Sequence, residues 1–186
     1  EDRSPVLAFP IKEGSEYPSF PVRGRLRLSE DAADFFKDED AGVSASNRLR
    51  GIVLHDILSQ VSNASDLKKA VDYAQMTGNL TADEARTAFG LLTEALKSVE
   101  DRGWFADDVQ LTYNEASLID TDGEIYRPDR VTVCGGKVVI VDYKFGEHQK
   151  KYEKQVRKYM DMWRRMGYES VSGFLWYVDA LSVIEV

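Results

Sequence analysis

The stretch Arg127-Pro128-Asp129-Arg130-Val131-Thr132-Val133-Cys134-Gly135-Gly136-Lys137-Val138-Val139-Ile140-Val141-Asp142-Tyr143-Lys144 decides how this chain reads. Gly135-Gly136 is a hairpin signal, because the central positions of a tight two-residue turn favour positive φ. The run Val138 to Val141 is continuously apolar, which predicts a central strand covered on both faces. Residues two apart in a strand project to one face about 7 Å apart. Asp142 and Lys144 therefore point together at the end of a buried strand, and the hairpin brings Asp129 beside Asp142. Two carboxylates at the edge of a core repel unless a cation joins them, and Mg²⁺ suits oxygen ligands. The plainer reading makes Asp142 and Lys144 an ordinary ion pair and Asp129 a strand end, and Asp-x-Lys alone does not separate the two.

Downstream, a helix is predicted from about 149 to 166, ending at Gly167. Gln155 and Tyr159 lie at i, i+4 and share a face, with Lys151 and Lys158 nearby. The span 144–165 holds eight bases and three acids, a net of +5 in a chain of −8, leaving −13 elsewhere. A basic, Tyr- and Gln-bearing helix directly after the Asp/Lys strand suits a phosphate backbone. A solvated helix face is the alternative. Two strands, about 170–178 and 181–186, close the chain.

Upstream of the quoted stretch, strands are predicted at about 109–119 and 125–134, separated by the hairpin signal Asp122-Gly123. Three helices precede them. The first, about 46–61, carries the i, i+4 stripe Leu49, Val53, Ile57 and Val61, with His55 just outside the apolar arc. The second starts near Ser65. The third starts at Thr81, where Thr81-Ala82-Asp83-Glu84 matches a capping box. The span 1–44 reads as an extended linker and a short helix. Pro5, Pro10, Pro18 and Pro21, four of the five prolines, crowd its start, and Ser29 caps a segment bearing Phe35 and Phe36. Six acids between Glu30 and Asp40 form a solvated run. The division is thus 1–44 as lead-in and 45–186 as the functional domain. The absence of an initiator methionine points to a domain excised from a longer protein.

Composition narrows the classes. At 186 residues, 43% hydrophobic and 30% charged, the chain reads as one soluble domain with a real core. The charge of −8 argues against coating nucleic acid by bulk charge but leaves room for a local basic groove. No apolar run approaches the roughly 18 residues of a membrane span, so no membrane partner and a cytoplasmic location are expected. Cys134 is alone, which excludes an internal disulfide and any Cys-rich zinc or iron–sulfur site.

Together, His55 in Gly51-Ile52-Val53-Leu54-His55, Asp129 in Arg-Pro-Asp-Arg, Asp142-Tyr143-Lys144 and Gln155-x-x-x-Tyr159 resemble the PD-(D/E)xK nuclease superfamily. Within it, they resemble the C-terminal nuclease domain of RecB- and AddA-type helicase-nucleases. The resemblance implies an α/β, restriction-endonuclease-like core with a mixed central sheet flanked by helices and an N-terminal helical subdomain. It implies a metal site of His55, Asp129, Asp142 and the Tyr143 carbonyl, with Lys144 as catalytic lysine alongside Asp129 and Asp142. Gln155 and Tyr159 would position the DNA strand, and Glu115 matches an acidic position on the first strand, where a glutamate salt-bridged near Arg127 is the alternative. A lone cysteine rules out the family's iron–sulfur branch, so the cofactor expected is Mg²⁺ or Mn²⁺ without an iron–sulfur cluster.

The activity so implied is metal-dependent deoxyribonuclease action, exonucleolytic in type, on single-stranded DNA delivered by a helicase domain of the same polypeptide. Further helicase-nuclease subunits would join it in double-strand break repair and recombination. Two rivals stand beside this reading: a catalytically idle DNA-binding or assembly module of the same fold, and a stand-alone nuclease of the superfamily.

Overall fold

The turn at Gly135-Gly136 forms as its sequence predicts, with φ of +56° and +77° at the two glycines. It joins antiparallel strands β4 (Arg130–Cys134) and β5 (Lys137–Lys144) in a computed structural model that describes residues 45–146 and 148–186. The proposed lead-in and its Ser29-capped helix lie outside the described residues. Among the described residues, five strands form the main sheet in the order β1-β4-β5-β6-β7, where β1 is Leu111–Asn114, β6 Ser170–Tyr177 and β7 Ser182–Glu185. The β5 strand is central and pairs parallel with β6, while the other neighbours pair antiparallel. This is the mixed α/β sheet expected of a restriction-endonuclease-like core.

Both faces of β5 are covered, as its continuous apolar run requires. Val139, Val141 and Tyr143 face a layer of three helices: α1 (Ala45–Ser59), α2 (Leu67–Met76) and α3 (Ala82–Ser98). Val138 and Ile140 face α4 (Lys150–Arg165). The helical layer owes its form to local signals. Leu54, Ile57 and Leu58 bury one stripe of α1. Thr81 and Glu84 close the expected capping box, and donation from the Thr81 hydroxyl at 2.7 Å and from its N–H at 2.8 Å holds the Glu84 carboxyl below its ordinary pKa. On the other face α4 approaches β6 so closely that a Cβ on Gly173 would meet Val156 Cγ1 at 2.6 Å and Met160 Sδ at 2.5 Å. Among the described residues, no helix is long and apolar enough to cross a membrane.

Two strand boundaries differ from the sequence expectation. The strand predicted over 109–119 divides into β1 and β2 (Leu118–Ile119), and that over 125–134 into β3 (Ile125–Tyr126) and β4. The Asp122-Gly123 hairpin therefore closes a separate two-stranded sheet, β2-β3, instead of extending the main one. The breaks have local causes. Glu115 adopts a left-handed backbone with φ 50°, a conformation that ends β1. Pro128 has no N–H to continue the ladder before β4.

Candidate active site

The β4-β5 ladder pairs Arg130 with Val141, so one step further Asp129 stands opposite Asp142. The β1-β4 ladder pairs Asn114 with Arg130, and the Glu115 N–H donates to the Asp129 carbonyl at 2.9 Å. Three acids thus form a row across the same end of β1, β4 and β5. Two of them are deeply buried, Asp129 at 4% exposure and Asp142 at 1%. Beyond the last ladder pair, the Asp129 side chain bonds to β5: its Oδ2 accepts the Tyr143 N–H at 2.6 Å.

Burial by itself raises a carboxyl pKa, but the His55 imidazole, Lys144 and the Tyr143 N–H together hold Asp129 below its ordinary value. His55 reaches the row from α1. Its Nε2 lies 2.9 Å from Asp129 Oδ1 and its Nδ1 3.4 Å from Glu115 Oε1. The imidazole packs edge-on against the Tyr143 ring, centroids 5.9 Å apart. Glu115 also faces Arg127, at 3.9 Å. Lys144, 5% exposed, sets its Nζ 2.7 Å from Asp142 Oδ2.

The sequence-predicted residues therefore divide into a gathered group and a dispersed one. His55, Glu115, Asp129, Asp142, Tyr143 and Lys144 share one end of the sheet. Tyr159 is fully buried in the core under α4. Gln155 donates to its hydroxyl at 2.8 Å, and that hydroxyl donates to the Arg127 carbonyl at 3.5 Å. This pair braces the segment that carries Asp129. Lys151 is exposed in the first turn of α4. Lys158 is held elsewhere, 2.5 Å from Asp120 of the small hairpin, which Arg165 also meets at 2.8 Å. Arg157 and Arg164 likewise face carboxylates, Glu153 and Asp161. Lys150 and Lys154, by contrast, are exposed and meet no carboxylate among the described residues.

Sequence reasoning passed over two residues that shape this site. Arg130 is fully buried and stacks 4.0 Å above the Phe105 ring centroid. It donates to the carbonyls of Trp104, Val61 and Ser62 and to Asn114 Oδ1, at 2.6 to 3.0 Å. No local pattern marks it, because all these partners come from other segments. Tyr152 sets its ring 4.5 Å from Lys144 Nζ. Here a signal existed, since Tyr152, Gln155 and Tyr159 recur at i, i+3 and i+7 on one face of α4.

The donor set, two buried carboxylates with an imidazole and a further glutamate, is oxygen-rich with one nitrogen, which fits a hard divalent cation. As the side chains stand, the acids are turned onto His55, Lys144 and the backbone. Among the described residues, no three His, Cys, Asp or Glu side chains converge around one point.

A family model described as the PD-(D/E)XK nuclease superfamily matches residues 20–184 of the chain. No curated protein matches it.

Proposed function

The chain belongs to the PD-(D/E)XK nuclease superfamily, whose members generally use divalent metals on DNA, and on that premise we propose that it hydrolyses DNA phosphodiester bonds with Mg²⁺ or Mn²⁺. The observation that carries the reading is the buried pair of carboxylates, Asp129 and Asp142, at one strand end with Lys144 2.7 Å from Asp142. Asp129, Asp142, His55 and the Tyr143 carbonyl would hold the ion. When bound, such a cation lowers the pKa of the attacking water and offsets charge on the leaving oxygen.

The remaining work falls to side chains. Asp142 orients the Lys144 ammonium, which donates to the attacking water or to the phosphoryl oxygens as charge develops on them. The Tyr143 N–H and His55 hold the Asp129 carboxylate in its ionised form and in one rotamer. Gln155 and Tyr159 brace the Arg127-Pro128 segment from beneath and so fix where Asp129 stands. DNA phosphates would follow the first turns of α4, where Lys150, Lys151 and Lys154 are exposed.

The finer setting is a domain of RecB or AddA type that receives single strands from an ATP-driven helicase and trims them exonucleolytically during break repair and recombination. Its support is the order of His55, Asp129, Asp-Tyr-Lys and Gln-x-x-x-Tyr along the chain. A stand-alone nuclease is compatible with the same residues. A catalytically idle DNA-binding or assembly module of the same fold is the other alternative.

The deciding experiment is single-strand DNA digestion with Mg²⁺ or Mn²⁺, comparing wild type with Asp142→Ala and Lys144→Ala. Cleavage by wild type, lost in both variants, is the expected result. Variants that cut as well as wild type would sink the assigned site. A wild type that binds DNA and never cuts, even joined to a helicase, establishes the idle module.

A further inference from the structure

Lys144 is caged by more than its ion pair. Asp142 meets its Nζ at 2.7 Å, and the Tyr152 ring centroid lies 4.5 Å from the same atom, within cation–π range. The ring is held there by a latch. Lys144 pairs with Tyr177 across the β5-β6 ladder, and the Lys144 carbonyl accepts the Val178 N–H at 3.0 Å. Tyr177 Oη lies 2.8 Å from His148 Nδ1, and His148 Nε2 lies 3.2 Å from Glu153 in the first turn of α4. Gly146 N–H donates to Asp179 at 3.1 Å, fastening the same loop to the β6-β7 turn. Lys144, Gly146 and His148 are thus each tied to β6 or its turn, and Tyr152, in the first turn of the helix, closes over the lysine.

We infer that Tyr152 is a positioning residue for Lys144, holding the ammonium against Asp142 with the face of its ring. This rests on the reading of Lys144 as catalytic, and its chemistry is specific. An aromatic face attracts the ammonium without taking a proton or a hydrogen bond from it. Lys144 is an ammonium on a flexible four-carbon stem whose rotamers are costly to freeze. A ring on one side and a carboxylate on the other leave it one arrangement, facing the row of acids. The phenol oxygen is not needed for this, so phenylalanine is an adequate substitute and leucine, apolar but without a π face, is not.

The test compares Tyr152→Leu, Tyr152→Phe and Lys144→Ala with wild type on two readouts. One is the kcat and KM of single-strand cleavage. The other is the rate at which Lys144 is acylated by an amine-directed reagent in metal-free protein, followed by mass spectrometry. Tyr152→Leu is expected to lower kcat about tenfold with KM little changed, and to speed Lys144 acylation several-fold. Tyr152→Phe should stay within about twofold of wild type on both. Equal losses in Leu and Phe would assign the effect to the hydroxyl and overturn the inference. A Leu variant that behaves as wild type, or one changed in KM alone, overturns it as well. If the Leu variant does not fold, Tyr152→Met against Tyr152→Trp replaces it, with Trp retaining activity and Met losing it. Should Lys144→Ala cut as fast as wild type, the functional reading falls, and the acylation rates still decide whether the ring holds the lysine.

Discussion

Asp120 and Asp142 are both buried carboxylates that meet lysine on the α4 side of the fold, but their charge balances run in opposite directions. Asp120 faces two permanent cations, Lys158 and Arg165, and its Oδ1 also accepts the Thr121 N–H at 2.7 Å. Its cluster has cation in excess and its work is to pin the β2-β3 hairpin onto α4. Asp142 shares Lys144 with a neighbourhood that holds Asp129 and Glu115 too, three acids whose permanent cations are Lys144 and Arg127, while His55 is charged only when protonated. That cluster has carboxylate in excess. The contrast teaches that a buried acid–base pair is a fastening where its charge closes, and a candidate site where acids outnumber permanent cations.

The sharpest way to break the contrast is to neutralise each acid. Asp142→Asn is expected to lower single-strand cleavage about a thousandfold with little change in melting temperature. Asp120→Asn should leave cleavage within about threefold while lowering the melting temperature. Similar catalytic losses in both would erase the distinction. Arg130 extends the rule to the opposite sign, since its guanidinium donates to carbonyls and Asn114 and stacks on Phe105. Arg130→Ala leaves those acceptors buried without a donor, and chemical denaturation should show about 3 kcal/mol of lost stability or more.

Metal provides the next measure. Mn²⁺ at about a hundred times its dissociation constant should stabilise wild type by about 2.7 kcal/mol, read as a rise in thermal midpoint. Asp120→Asn should keep that rise and Asp129→Asn should lose most of it. A rise of equal size in all three would place the ion elsewhere.

Acid titration separates the clusters more finely. Hydrogen bonds from Arg165 and then Lys158 hold the Asp120 carboxyl well below the usual aspartate range. Its folded pKa is depressed, so its stabilisation is present above the unfolded value of about 3.9 and fades as pH falls through the folded one. Melting curves of wild type and Asp120→Asn should therefore diverge toward neutral pH and converge in acid. Divergence that grows in acid would contradict the pairing. The smallest effect concerns DNA. Lys158→Ala should change single-strand affinity less than Lys150→Ala or Lys154→Ala, and each of the latter should reduce the salt slope by about one.

How much of this was legible depends on the range of the signal. The capping box at Thr81, the Gly135-Gly136 turn and the apolar run of β5 are local, and the structure follows each of them. The two long strands expected before β5 were not legible as four short ones. Glu115 carries no mark of its left-handed backbone, and Pro128 signals a break only once β4 is known to need a partner there. The basic helix was read as one surface, yet much of its charge is answered by carboxylates, one of them from a hairpin well upstream.

By itself the sequence determined the order of helical and extended regions, the central strand and the common face of Asp142 and Lys144, because backbone hydrogen bonding and side-chain periodicity are set by neighbours close along the chain. Only the tertiary structure decided that His55 meets Asp129 from a helix that precedes the whole sheet, that Tyr152 covers Lys144 and that Asp120 captures Lys158. Those meetings depend on how two helical layers pack on either face of one sheet. Packing answers to the whole buried surface and to the pairing of every buried charge, and no local window of residues contains either.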